Sequence, residues 1–299
     1  MERAYEDIKQ GEIGAWISIA AYLCLAALKL AVGLSANSEA LTADGLNNST
    51  DIIASVAVLI GLRLSRKPPD KDHRYGHFRA ETVAALAASF IMFGVGLQVL
   101  YTSVTAFQRP SEASHGSAAA WTALFSAIAI FAVYLYNVRL AKRIQSAALM
   151  AAAQDNRSDA LVSIGAFVGI IGSSLGLSWL DPLTALLVGL MICKTAWGIF
   201  RDAAHALTDG FDDQELQAIR STVRDVPGVE KIIDMKARMH GSYKLVDVTI
   251  GVHHLLTVTE SHDITEHVEK QIYDSHQISH VHIHIEPYSQ TSKKHPQSG

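Results

Sequence analysis

The chain has 299 residues, 49% of them hydrophobic and 18% charged, a balance that points to an apolar, membrane-type part joined to a polar domain. The formal net charge of -4, with no basic block interleaved with aromatics, excludes nucleic-acid binding. Two cysteines, Cys24 and Cys193, lie in apolar runs without metal-type pairing and read as buried core residues.

Residues 1–10 mix acidic and basic side chains and lack the cationic start and cleavage site of a secretory signal, so they are expected on the mature protein. Six stretches then reach the roughly 20 apolar residues that a bilayer span needs: 13–34, 40–62, 82–107, 118–138, 147–175 and 180–200. Lys and Arg set their orientation. Arg63, Arg66, Lys67, Lys71, Arg74 and Arg79 follow the second span, and Arg139, Lys142 and Arg143 follow the fourth. The connection after the third has Arg109, and those after the first and fifth have none, which predicts both termini in the cytoplasm. In a bacterial cell the bilayer would be the plasma (inner) membrane.

From Thr208 onward the composition turns charged and His-rich. Residues 212–224 predict an amphipathic helix, with Leu216, Ile219 and Val223 inward and Asp213 as its N-terminal partner, ended by Pro227 and Gly228. Residues 231–239 and 244–252 alternate as strands around Gly241, 259–273 is helical, and a last strand, 279–286, stops at Pro287. That order predicts an α+β domain over 208–288 after a helical membrane domain over 1–207, with a polar, disordered tail at 289–299.

The apolar spans hold four conspicuous polar residues. Asn47 and Asp51 stand four apart in the second span, as do Asp155 and Asp159 in the fifth, so each pair shares a helix face. Carboxylates are costly in a bilayer and sit where they bind an ion or carry a proton. The alternative is that each Asp pairs with an arginine, such as Arg157, or caps a helix. An all-oxygen set of one amide and up to three carboxylates favours a hard cation, manganese over zinc, because imidazole and thiolate are missing. Asp44, one turn further, is a candidate supporting or vestibule charge.

Two further groups hold metal-ligand residue types. In the loop after the second span, Asp70, His73 and His77 could form a metal site, the two histidines meeting if the segment is helical; the bland reading is a solvated basic loop. In the last strand His280, His282, His284 and Glu286 alternate onto one face, and His262 on the neighbouring helix could complete a site. No H-E-x-x-H, P-loop or dinucleotide fingerprint is present, which argues against a membrane protease, a nucleotide-driven pump or an oxidoreductase and predicts that the chain is not an enzyme.

With these residues assembled, the chain resembles the cation diffusion facilitator family over almost its whole length. The match rests on Ala43-Asp44-Gly45-Leu46-Asn47 to Asp51, on Asp70-Lys71-Asp72-His73-Arg74-Tyr75-Gly76-His77, on Asp155 to Asp159, and on His282-Ile283-His284-Ile285-Glu286-Pro287. The resemblance implies a homodimer of six-helix protomers, each with a cytoplasmic metallochaperone-like (ferredoxin-like) α+β domain, that exports a divalent metal across the lipid bilayer in exchange for protons. It implies a transport site of Asn47, Asp51, Asp155 and Asp159 and a loop site of Asp70, His73 and His77. His240, His262, His284 and Glu286 would form a third site, in the cytoplasmic domain. Asn47 and Asp155 stand where the family's zinc exporters usually have His, so the chain looks like the manganese-associated branch. Glu286 stands where relatives often have Asp. Zn2+, Co2+ and Fe2+ are the alternative cargoes, since affinity rises from Mn2+ through these metals at a given site. A membrane metal sensor without flux is the alternative of a different class.

Overall fold

The computed structural model describes residues 2–35, 39–108, 117–174, 177 and 179–289. The chain separates into two compact units, 1–204 and 205–299. The first is built from six long helices: α1 (Glu2–Ser35), α2 (Glu39–Ser65), α3 (Arg79–Gln108), α4 (Ser117–Ile144), α5 (Ala147–Ser174) and α6 (Leu180–Leu207). Among the described residues, four segments within them are long and apolar enough to cross a membrane: Glu6–Val32, Arg79–Ala106, Ala120–Ile144 and Pro182–Leu207. In α5 the apolar run is broken by Gln154-Asp155-Asn156-Arg157-Ser158-Asp159.

Helix α1 packs along α2, and α4 along α5, with α2 also against α3 and α1 against α4. Small residues let the backbones approach. A Cβ at Gly61 of α2 would stand 2.2 Å from Ala84 Cβ of α3, and one at Gly14 of α1 would stand 2.7 Å from Asn137 Oδ1 of α4. Outward faces carry Trp16, Phe90, Trp121, Ile128 and Trp197, surface that a bilayer would cover. Cys24 is exposed and Cys193 partly so, against the expectation of two core residues. An apolar run does not distinguish the inner face of a membrane helix from the face turned to lipid.

The second unit contains α7 (Asp213–Arg224), β1 (Lys231–His240), β2 (Tyr243–His253), α8 (Val258–His276) and β3 (His280–Tyr288). The sheet order is β1-β2-β3, with β1 and β2 antiparallel and β2 and β3 parallel. A parallel neighbour needs a crossover, and α8 supplies it. Ile219 and Val223 of α7, Val268 and Ile272 of α8, and Val246, Val248 and Ile250 of β2 form the core. Each fully buried aliphatic side chain there contributes about 1.5–3 kcal/mol. Both helices cover the same sheet face, so the opposite face is open and carries Asp234, Lys236, Asp247, His282, His284 and Glu286.

Local signals set the ends of these elements. The N-cap of α7 is Asp212, whose carboxylate accepts from Glu215 N–H at 2.9 Å; the expected partner, Asp213, is already the first helical residue. Thr257 and Glu260 form a reciprocal capping box at α8, and the Thr257 N–H and hydroxyl hold the Glu260 carboxyl below its ordinary range. The β1–β2 hairpin turns through Gly241 at φ +65°. Strand β3 runs past Pro287 to Tyr288, which an edge strand tolerates because one side of its backbone needs no partner. Of the expected tail, only Ser289 lies among the described residues.

Candidate metal centre

Asp51 of α2 and Asp155 and Asp159 of α5 converge inside the helical unit, each offering a carboxylate oxygen, with all three oxygens within 4.8 Å of one another. Asp51 and Asp159 are buried and Asp155 is half-buried. The i, i+4 spacing on α5 stacks its two carboxylates, and α2 brings the third across. Like charges at such separations repel by about 4 kcal/mol per pair at an effective dielectric of about 20. Three ionised carboxylates therefore require cations, either a bound metal or protons. Only oxygen is offered, the donor type of hard divalent ions. Asn47 lies on the same helix as Asp51, but its side chain, like that of Asp44, is outside the described residues.

Helix α1 adds polar groups that sequence reasoning missed. The Tyr22 hydroxyl donates to Asp159 Oδ2 and lies 3.5 Å from Asp155 Oδ2. One turn earlier, Ser18 Oγ accepts from Asn137 Nδ2 of α4 at 2.8 Å and from Asn156 Nδ2 of α5 at 3.0 Å. Two turns after Tyr22, the almost wholly buried Lys29 places Nζ 3.4 Å from Asn48 Oδ1 of α2. Ser18, Tyr22 and Lys29 follow a 4-and-7 spacing along one face of an apolar helix, and that was the available signal. Arg157, the partner that the alternative reading offered the aspartates, reaches Gln154 Oε1 at 3.5 Å.

The loop between α2 and α3 brings Asp70, His73 and His77 together, again with one ligand atom from each within 4.8 Å. The segment is a turn rather than the helix that would make the two histidines neighbours. Asp70 Oδ1 accepts from the backbone N–H groups of Asp72 at 3.0 Å and His73 at 2.8 Å, and Gly76 adopts φ +81°. His73 Nδ1 stands 3.4 Å and His77 Nε2 3.5 Å from the Asp70 carboxylate. His77 Nδ1 faces the Lys67 carbonyl at 3.3 Å; donation there leaves Nε2 of a neutral ring as the free acceptor, the tautomer a metal needs. Lys67 Nζ, 2.6 Å from Asp70 Oδ2, is a resident competitor for a metal. Its hydrogen bond, with that of His73 N–H, holds the Asp70 carboxyl well below the ordinary carboxylate range.

The third expected group does not assemble in this structure. His240 is buried at the end of β1, and His284 and Glu286 stand 4.0 Å apart on the open sheet face. His262 lies on α8, in the layer packed against the other face, where it faces Glu266 at 3.5 Å. Among the described residues only the Asp51 and Asp70 groups bring three ligand side chains together. On the open face His282 Nδ1 does approach Asp247 Oδ1 of β2, at 3.9 Å.

The model of the cation efflux transmembrane domain matches residues 15–208, and that of the cation efflux protein cytoplasmic domain matches residues 211–288. The chain belongs to the cation efflux (cation diffusion facilitator) family. It is therefore a multi-pass membrane transporter of cations and not an enzyme. The manganese efflux system protein MneS of Bacillus subtilis (strain 168) is 54% identical over 290 residues, covering 97% of this chain and 100% of that protein. The manganese efflux system protein MneP of the same organism is 34% identical over 283 residues, 92% of this chain and 95% of the relative. Among solved structures, the copper form of the MamM carboxyl-terminal domain matches with 26% identity and a TM-score of 0.24, covering 28% of this chain and 99% of that one.

Proposed function

We propose that this cation efflux protein exports manganese(II) from the cytoplasm in exchange for protons, with Asn47, Asp51, Asp155 and Asp159 as the transport site. The convergence of three carboxylates inside the helical unit carries the reading. The identity to MneS and MneP supports manganese as the cargo. A hydrated ion loses water as the carboxylates coordinate it and is released when the helices rock and the site opens to the far side. Carboxylates must be ionised to bind metal, so protons and metal compete for one set of oxygens, and that competition is the coupling.

The Lys and Arg clusters after α2 and α4 support cytoplasmic termini, in a plasma membrane if the cell is bacterial. The functional division is a transmembrane domain over 1–207 and a cytoplasmic domain over 208–288, and the cytoplasmic family model supports a homodimer through the latter. Asp70, His73 and His77 would hold a metal at the cytoplasmic edge once Lys67 yields Asp70. His240, His262, His284 and Glu286 would contribute to a regulatory site that biases the inward-facing state, with ligands shared between protomers.

Flux in proteoliposomes under an imposed pH gradient tests the proposal, comparing Mn2+, Zn2+, Co2+ and Fe2+ in the native protein and in Asp51→Ala. Manganese movement that dissipates the gradient and vanishes in the variant is the expected result. Preferred zinc flux would overturn the ligand argument, and no flux of any metal would replace the transporter with a sensor.

A further inference from the structure

The Tyr22 hydroxyl reaches two carboxylates of the quartet, those of Asp155 and Asp159. Tyr22 is fully buried, with its ring packed among Leu25 of α1, Ile52 of α2, Ile130 of α4 and Ala160 of α5. A ring held by four helices cannot swing with a passing ion. Its hydroxyl donates to Asp159 Oδ2 and stands 3.5 Å from Asp155 Oδ2, so one oxygen of Asp159 is already engaged. A phenol has a single proton to donate, and the contact with Asp159 uses it.

We infer that Tyr22 is a specificity-determining positioning residue of the transport site, fixing Asp159 as a one-oxygen ligand so that smaller divalent ions bind in preference to larger ones. The inference rests on the transport-site reading above. A carboxylate can ligate through one oxygen or both, and bidentate ligation suits ions that take seven or eight oxygens at about 2.3–2.6 Å, as Ca2+ does. Smaller ions in octahedral sites need one oxygen from each carboxylate. With Oδ2 accepting from the phenol, one-oxygen ligation through Oδ1 is the mode that keeps this hydrogen bond. Removing the hydroxyl frees Oδ2 and lets the same residue clasp a larger ion. Neither the charge nor the set of ligating residues is altered by that change, only the number of oxygens Asp159 can offer, so its effect falls on ion size and not on transport as a whole.

The test compares kcat/KM for Mn2+, Cd2+ and Ca2+ in proteoliposomes of the native protein, Tyr22→Phe and Asp159→Ala. In Tyr22→Phe the ratios of Cd2+ and Ca2+ to Mn2+ are expected to rise about tenfold, the scale on which partners of metal ligands act. A parallel fall for all three ions would make Tyr22 a packing residue and overturn the inference, as would unchanged fluxes. Tyr22→Met also lacks the hydroxyl and fills the space flexibly, so it gives the same comparison should Tyr22→Phe fail to fold. Asp159→Ala separates the two levels. Lost manganese flux there with unchanged ratios in Tyr22→Phe defeats only this inference, whereas retained flux defeats the transport-site reading beneath it.

Discussion

Asn156 Nδ2 on α5 donates to Ser18 Oγ on α1 at 3.0 Å, and the same oxygen accepts from Asn137 Nδ2 on α4. One hydroxyl thereby joins three helices next to the carboxylates. The Oδ1 atoms of Asn137 and Asn156 have no hydrogen-bond partner among the described residues, so the junction is only half satisfied. Ser18→Ala, which strands both amide N–H2 groups, is expected to cost roughly 2 kcal/mol, and Asn156→Leu, which removes one amide altogether, about 1 kcal/mol. Unfolding in mixed detergent micelles measures both; equal costs would mean that Ser18 is not the shared acceptor.

At the loop, the relation of Lys67 to Asp70 fixes the sign of a pH effect. The folded Asp70 carboxyl titrates below its unfolded value. Its stabilising contribution is therefore complete above about pH 4, the ordinary carboxylate range, and is lost as pH falls through the lower folded value. Lys67→Met raises that folded value, so backbone hydrogen exchange at Asp72 and His73 should speed up at about pH 4 in the variant before it does in the native protein. The same variant removes the competing ammonium and should bind metal at the loop more tightly at neutral pH, as isothermal titration would register.

The α2–α3 contact leaves no room for another carbon. A Cβ at Gly61 would meet Ala84 Cβ at 2.2 Å, so Gly61→Ala must push the helices apart and is expected to cost about 1–3 kcal/mol. Ala84→Gly in the same background should recover part of the loss. Failure of that rescue in thermal unfolding would remove this contact as the cause.

In the carboxyl-terminal unit, Thr257→Ala removes one half of the α8 capping box and should cost about 1 kcal/mol. The first turn of α8 would then exchange its amide hydrogens faster, while manganese flux measured alongside stays near the native rate. A large loss of flux would tie the start of α8 directly to transport.

Periodicity made the helices and strands legible to within a few residues at most ends, because apolar spans and alternating strands follow directly from burial. It also made Asp155 and Asp159 legible as neighbours, since four residues return to the same helix face. Tyr22 was harder to single out: tyrosine in an apolar helix is ordinary, and the 4-and-7 spacing it shares with Ser18 and Lys29 does not say which helix lies against that face. The loop ligands were visible as residue types, but their meeting depends on an Asp70 turn and the positive φ of Gly76 rather than on helical spacing. His262 was grouped with the last strand because proximity in a small domain is easy to assume. The crossover geometry sends α8 to one face of the sheet and the alternating His282, His284 and Glu286 to the other.

The hairpin between α4 and α5 bears on how the protein is made. Only Gln145, at φ +54°, and Ser146, whose hydroxyl accepts from Leu149 N–H, separate the two helices. Asp155, Arg157 and Asp159 each oppose entry of α5 into lipid by about 2.5–3.5 kcal/mol near mid-membrane. An isolated α5 would stall at the translocation machinery, whereas α4 can partition first and draw its successor in against a ready-made protein surface. Substitutions that make α4 less apolar should then surface as failed biogenesis, with the missing protein degraded before any transport defect could be measured.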